Sequence, residues 1–565
     1  MAIKTNKVNK FLDSLIGIVA FLCFFVLFLE WGLKIGNAYR SIFNTFDAVI
    51  LFIFLLEIIM RFLFYPSKKE YFKKYWIDIL ILIPFIQFIH GLNTARIFIV
   101  LKQIVIIFRI LVHTKIIQKL ISLLGLKPAQ LLVVSFITTI LIGAFLLTLP
   151  IAAKNGQSLN FIDALFTATS ATCVTGLIVK DTGTFFAPFG QLVILSLIQA
   201  GALGIMTFSI TLFLAVGQKM SYKEAITMQE VLDQESIMDI LGLIKFIAKM
   251  TILIEFIGAL FLYAGFMNYL PNPGFRLYAA LFHSISAFCN AGFSIFPDSL
   301  TAFARDVPLN LCFSFLIIIG GLGFIVVKDI YDKYITKKTP KTIGLKLHSK
   351  IVLTMTTALL IIGTVCIFCA ENNSAFKDMI LQDKLLISFF QSVTARTAGF
   401  NTLNINLLSN ASIFSLIVLM FIGASSGSTG GGIKTTTFSM ILMSVTSRLK
   451  NKDHVSIFKR KIPDLITSRA LIIFISSIAM IILFAYLTAI FENLAFRDII
   501  FEVVSAFGTV GLSCGITAKL HPAGKILITL LMFLGRLGPL TILLAFSRYK
   551  RKIYYKYAEE KIMVG

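Results

Sequence analysis

Gly176, Gly292, Gly399 and Gly511 stand 116, 107 and 112 residues apart, each closing a short helix-like stretch and each followed by Leu177, Phe293, Phe400 or Leu512. Ten positions earlier stand Phe166, Phe282, Phe389 and Phe501, and six earlier Ser170, Ser286, Val393 and Ser505. At 27 or 28 positions later glycine recurs, as Gly204, Gly320, Gly427 and Gly538. Four copies of one pattern in an apolar chain imply four quasi-equivalent elements around one axis. The chemistry open to such an axis is cation coordination. Glycine reaches backbone conformations closed to other residues, so main-chain carbonyls can converge and replace an ion's hydration shell. The expected suppliers are Cys173, Val174, Thr175 and Gly176, then Cys289, Asn290, Ala291 and Gly292. The other two sets are Arg396, Thr397, Ala398 and Gly399, and Gly508, Thr509, Val510 and Gly511. Coordination through backbone oxygen leaves the Cys173 and Cys289 thiols no metal to hold. Arg396 is expected to turn behind its loop onto a carboxylate and brace it.

The elements that position these segments follow from length. A short helix such as 160–170 is about half what crosses a ~30 Å hydrocarbon core, so it must enter and turn back. Its partly negative C-terminal end then faces the axis. Apolar spans flank each short helix: 131–150 with 191–216, 247–267 with 309–327, 351–370 with 413–444, and 470–491 with 527–546. Four further spans precede them at 11–31, 42–64, 76–89 and 95–112. The expected fold is an all-α polytopic membrane protein of about twelve transmembrane helices. It has four pseudo-symmetric span–pore helix–span repeats around one pore, after a four-helix bundle. The bundle is 1–125, and the repeats are 126–240, 241–345, 346–465 and 466–565, the last including a cytoplasmic tail. The stretch 217–242 alternates charge and apolarity and reads as a surface helix.

The second span of the third repeat cannot be one continuous helix. Gly423, Gly427, Gly430, Gly431 and Gly432, with Ser425, Ser426, Ser428 and Thr429, disfavour helix and end at Lys434. Such backbone belongs beside a water-filled cavity, where a loop under the glycine segments can act as a gate. Arg536, midway along the last span, is expensive there unless it meets water or partners. Facing the loop, it can bond the loop's carbonyls and raise a barrier to cations.

Composition sets the outer bounds. The chain has 565 residues, 57% hydrophobic and 14% charged, which excludes an ordinary soluble domain. The net charge of +24 gathers in short loops at 68–74, 333–350, 448–461 and 548–556. That is the positive-inside bias, placing those loops and both termini in the cytoplasm, with anionic lipid rather than nucleic acid as the contact. The first apolar run is long enough to span and carries no convincing cleavage site. Cys366 and Cys369 have CxxC spacing within an apolar helix and read as packing residues.

Here a family resemblance enters. Ala171-Thr-Cys-Val-Thr-Gly-Leu177, Ala287-Phe-Cys-Asn-Ala-Gly-Phe293, Thr394-Ala-Arg-Thr-Ala-Gly-Phe400 and Ala506-Phe-Gly-Thr-Val-Gly-Leu512 resemble the four filter loops of the Trk/Ktr/HKT superfamily. Gly423-Ala-Ser-Ser-Gly-Ser-Thr-Gly-Gly-Gly-Ile-Lys-Thr435 resembles its intramembrane gating loop, within a match spanning roughly 125–550. The resemblance implies a potassium-translocating subunit of the bacterial plasma membrane with one pore per chain. It also implies a homodimer on a cytosolic ring of RCK-type regulatory subunits, which alone bind nucleotide; this chain holds only K⁺. In that superfamily glycine at the first filter position accompanies potassium preference and serine accompanies sodium permeation, so four glycines imply K⁺. The family pattern also carries arginine at the position of Arg396. Its counterpart of Arg536 faces the cavity beneath the filter.

The first four spans loosely resemble a voltage-sensor bundle, with Glu57 and Arg61 on one helical face, Trp76 and Asp78 on the third span, and Arg96, Lys102 and Arg109 on the fourth. Cations six and seven residues apart are too sparse for a working sensor, so a scaffold or docking platform is expected. Enzyme activity is not expected: His90, His113, His283, His348, His454 and His521 show no ligand spacing. The rival is a Na⁺- or H⁺-coupled symporter, or a Na⁺-permeable member of the same superfamily, because repeats and broken helices also mark secondary transporters. Glu255 is the clearest buried carboxylate such coupling would use.

Overall fold

The computed structural model describes residues 128–204, 237–336, 344–452 and 454–546, with a few positions between 49 and 62. The four N-terminal spans with their charged positions, most of the expected surface helix at 217–242, and the tail beyond 546 lie outside the described residues. What is described is almost wholly helical.

Four units follow one another, each a long helix, a short helix, a loop and a second helix, which is broken in the second, third and fourth units. The first has α1 (Pro128–Thr148), α2 (Phe161–Thr172) and α3 (Pro188–Ala202). The second has α4 (Ile237–Gly265), α5 (Pro273–Phe288), α6 (Val307–Leu322) and α7 (Phe324–Ile330). The third has α8 (Leu347–Glu371), α9 (Leu381–Thr394), α10 (Asn410–Phe421) and α11 (Thr435–Leu449). A small hairpin of β1 (Ser456–Ile457) and β2 (Arg460–Lys461) leads to the fourth unit. That unit has α12 (Asp464–Phe491), α13 (Phe496–Gly508), α14 (Pro522–Leu537) and α15 (Pro539–Phe546). The expected boundaries after 240 and 465 fall just inside α4 and α12.

Local signals set the starts. Pro188, Pro273, Pro308 and Pro522 sit in the first turns, where a missing N–H removes no helical bond. Asn272, Asp306 and Ser409 cap α5, α6 and α10 by accepting backbone N–H bonds. The long first helices carry mean hydropathies from 1.9 to 2.7 and are long enough to cross a membrane. Their outward faces are exposed apolar surface, including Ile142 on α1, Phe256 and Phe261 on α4, Ile361 and Val365 on α8, and Ile475 and Ile482 on α12. The short helices inside bury serine and threonine instead, among them Ser170, Ser286, Ser392 and Ser505. Apolar outside and polar within is the arrangement a bilayer selects.

The units close into a ring. Within each unit the long helix packs on the short one, and each second helix also packs on the short helix of the next unit: α3 on α5, α6 on α9, α10 on α13, and α14 back on α2. The closing contact carries a half-buried ion pair, Lys525 Nζ to Asp163 Oδ1 at 2.7 Å. Lys525→Met should leave Asp163 without its counter-charge and destabilise the fold by about 2 kcal/mol. The readout is a lower unfolding temperature in detergent, with most of the loss recovered in the Asp163→Asn/Lys525→Met double variant; an unchanged midpoint for Lys525→Met would remove this closure role.

Three expectations need correction. The second helix is interrupted in the second and fourth units as well as in the third. α6 and α7 meet at 100° across Gly323, α14 and α15 flank Gly538, and α3 ends just before Gly204. The glycine equivalent to Gly204 and Gly538 in the second unit is Gly323 rather than Gly320: all three have positive φ, at 76°, 80° and 92°. Gly320 instead pairs with Gly201 and Gly535. A side chain at any of these three would collide with the last-turn carbonyl of the unit's own short helix, at Phe288, Thr172 and Phe507. Finally, the third unit is one residue shorter between short helix and glycine. Phe390 is fully buried where Phe389 was expected, and Thr394 takes the place expected of Val393.

Candidate functional site

Each short helix ends at a loop held by its own last turn. Thr175 N, Ala291 N and Val510 N donate to the carbonyls of Ser170, Ser286 and Ser505 at 2.8–2.9 Å, and Ala398 N to Thr394 O at 2.9 Å. The hydroxyls add a second tie. Ser170 and Ser505 accept from Gly176 N and Gly511 N, both at 3.1 Å. Ser286 and Thr394 donate to Phe293 O at 2.7 Å and Phe400 O at 2.6 Å.

In all four loops φ is positive at the glycine and at the residue two before it. The pairs are Val174 (58°) and Gly176 (91°), Asn290 (58°) and Gly292 (69°), Thr397 (76°) and Gly399 (78°), and Thr509 (50°) and Gly511 (93°). β-Branched residues avoid this region, and each such residue costs about 1–2 kcal/mol. Strain repeated at one position in four loops is imposed by the surroundings. Alternating backbone hand lines up successive peptide groups along one edge of the chain.

The glycines themselves form a cycle. A Cβ on Gly176 would meet Ala291 O at 2.5 Å, and one on Gly292 would meet Ala398 O at 2.7 Å. One on Gly399 would overlap Val510 O, and one on Gly511 would overlap Thr175 O. Each loop therefore abuts the next, and the fourth abuts the first, around a common centre. Outside the ring lies a cleft of about 710 Å³ whose floor includes all four glycines and whose wall includes Asp181, Asp298 and Asn401.

The side chains before the glycines turn away from the centre. Asn290 places its amide NH₂ on Ile317 O at 3.1 Å and Ala287 O at 3.0 Å. The Cys289 thiol lies 3.3 Å from Gln199 Oε1, and Gln199 Nε2 donates to Glu255 Oε1 at 3.0 Å. Arg396 is buried, but no carboxylate pairs with it among the described residues, and its Nε has no partner. The acid on the helix that precedes its loop, Asp383 of α9, is engaged by Arg305 at 3.4 Å. Glu255 is not alone: Glu502 on α13 is equally enclosed and escaped the sequence reading, although it is an acid inside an otherwise apolar turn of a short helix.

On the opposite side of the ring from the cleft, the stretch between α10 and α11 runs directly against the loops. Gly431 N donates to Thr509 Oγ1 at 2.9 Å, and a side chain on Gly430 would strike Thr397. Thr429 Oγ1 donates to Gly320 O at 3.1 Å, Ser425 N to Gly321 O at 3.0 Å, and Phe324 N to Gly427 O at 2.9 Å. Internal bonds shape the rest: Ser428 Oγ to Ser425 O, Ser426 Oγ with Thr436 Oγ1, and Lys434 Nζ to Gly430 O at 2.6 Å. Gly423 and Gly432 lie back to back at the neck, where Ile422 pairs with Ile433. Arg536 of α14 donates Nη1 to Thr429 O and Nη2 to Gly201 O at 2.5 Å. One guanidinium thus ties the stretch to the first unit.

A family model described as "Cation transport protein", TrkH, matches residues 102–553. The chain belongs to the TrkH cation transport family. Relatives agree: it is 42% identical to the Ktr system potassium uptake protein B of Bacillus subtilis over 79% of this chain and 99% of that one. It is 38% identical to the potassium/sodium uptake protein NtpJ of Enterococcus hirae, over 78% and 98%. The crystal structure of the potassium transporter TrkH from Vibrio parahaemolyticus superposes with a TM-score of 0.58 at 17% identity, covering 74% of this chain and 83% of that one, which speaks to the fold. A second model, described as "Ion transport protein", matches residues 9–178 of this TrkH-family chain and so takes in the stretch where four N-terminal spans were expected. The chain is an integral membrane protein of a family that includes potassium uptake transporters.

Proposed function

We propose that this chain takes up K⁺ across a bacterial inner membrane through the ring of four glycine loops. The observation that carries the reading is the closed cycle in which each glycine backs onto the carbonyl preceding the next. The three residues before each glycine, with the glycine, form the selectivity filter, and dehydrated K⁺ is held by their main-chain oxygens. The short helices direct their C-terminal ends toward it. The stretch Gly423–Lys434 with Arg536 is the gate: it lies across the inner side of the ring, and the guanidinium adds positive charge where cations must pass. Both termini and the basic loops face the cytoplasm, where a homodimer of this chain meets RCK-type subunits that bind the regulatory nucleotide. The N-terminal bundle serves as scaffold or docking platform.

Purified protein in liposomes under an imposed K⁺ gradient should pass K⁺ and Rb⁺ in clear preference to Na⁺. Equal Na⁺ and K⁺ flux would overturn the filter reading. One observation favours the coupled alternative: Glu255 and Glu502 are carboxylates buried directly behind the loops. K⁺ uptake that requires Na⁺ or a proton gradient, and is lost in Glu255→Gln, would establish coupling instead of a simple pore.

A further inference from the structure

Three of the four short helices carry, eleven residues before a hydroxyl on the outer lip of their loop, a polar side chain that reaches it. His283 meets Ser294, Gln391 meets Thr402, and Glu502 meets Ser513, at 2.9, 3.4 and 2.8 Å. His283, Gln391 and Glu502 are all buried. The first unit has Thr167 and Ile178 at the same places; Thr167 turns to Asp163 O, and Ile178 offers no hydroxyl. The spacing recurs although the three helix residues are chemically unrelated, which points to a shared geometric task rather than to one inherited side chain.

The bonding has a direction. His283 Nδ1 lies 2.8 Å from Ala279 O, so it carries the ring proton and leaves Nε2 as an acceptor for the Ser294 hydroxyl. Ser294 Oγ then accepts from Phe296 N at 3.0 Å. The fourth unit repeats this: Ser513 donates to Glu502 Oε2 and accepts from Gly515 N at 2.9 Å, while Thr517 donates to the other carboxylate oxygen. In the third unit the amide of Gln391 is the donor. Ser294 and Ser513 thereby fix the turn immediately beyond the glycine ring, and Ser294, Thr402, Ser513 and Thr517 all line the outer cleft. Pore-helix side chain, lip hydroxyl and glycine loop form one rigid strut.

We infer that His283, Gln391 and Glu502 are positioning residues that hold the outer lip of the ring on three sides and thereby set how sharply it distinguishes K⁺ from Na⁺. None of the three touches the ion. The inference rests on the filter reading of the glycine loops. Removal of one strut lets its lip relax outward, so the ring tolerates an ion of the wrong size.

The test compares K⁺/Na⁺ permeability ratios in liposomes for Ser294→Ala, Ser513→Ala and Glu502→Ala against the unaltered chain. Each should lower the ratio about fivefold, the effect of one hydrogen bond. Ser513→Thr, which restores the hydroxyl, should recover it, and Glu502→Gln, which keeps an acceptor, should lose less than Glu502→Ala. Lower flux for both ions at an unchanged ratio would overturn the inference, since a merely structural role predicts that. Gly176→Ser run in parallel separates the two readings. A ratio that falls for Gly176→Ser but not for the lip variants removes the struts alone, whereas one that moves for neither removes the filter.

Discussion

Gly176→Ser should lower the K⁺ over Na⁺ preference at least about tenfold, equivalent to 1.4 kcal/mol in relative ion stabilisation. Two effects act together at this position. A side chain at φ +91° is strained whatever space surrounds it, at about 1–2 kcal/mol. Its Cβ would also stand 2.5 Å from Ala291 O and 3.2 Å from Gly292 Cα, so the first loop must withdraw from the second. Backbone cannot yield there as a flexible side-chain tip would. Ring oxygens pulled apart replace the hydration shell of K⁺ less completely, and the advantage over Na⁺ shrinks. Gly274→Ala is the matched control, because its nearest neighbour is Asn272 Oδ1 at 3.4 Å at the outer end of α5. A ratio that is the same for Gly176→Ser, Gly274→Ala and the parent would show that these glycines do not line the conduction path.

The recurrence of four glycines was legible because each copy must satisfy the same steric demand, and steric demand leaves one residue type. Offsets counted along the chain were less secure. The third loop lacks one residue, and the doublet Phe389 and Phe390 hid that shift; only burial separates them. Gly320 and Gly323 were confused for a related reason. One admits the close approach of a helix end and the other turns the chain, and both demands select glycine. The interruption of the third unit's second helix announced itself through a run of glycine and serine, but a single positive-φ glycine suffices at Gly323 and Gly538. Arg396 was expected to find a carboxylate by the general rule for buried cations, yet the partner depends on which acids the fold brings near. The struts were invisible because three different residue types fill one role, and sequence comparison by identity cannot register a shared distance.

Arg536→Ala should raise K⁺ flux in the absence of any cytosolic partner by about tenfold or more. The guanidinium joins two bodies: Thr429 O in the stretch beneath the ring, and Gly201 O at the end of α3. A hydrogen bond from a charged donor contributes about 1.5–3 kcal/mol, and loss of that energy from the closed arrangement alone shifts an open–closed balance by about 10- to 100-fold. The cation's own field disappears as well, lowering the barrier to a passing K⁺. Lys434 remains in the alanine variant and is tied internally to Gly430 O at 2.6 Å, so it preserves the shape of the stretch without linking it to the first unit. Shortening the stretch between Gly423 and Lys434 removes the obstruction itself and should give an increase at least as large. The two variants differ in one respect: the shortened chain should no longer respond to an added regulatory subunit, whereas Arg536→Ala should still be partly closed by it. Flux at the parent level in both variants, with protein intact by gel filtration, would show that this stretch does not bar the path.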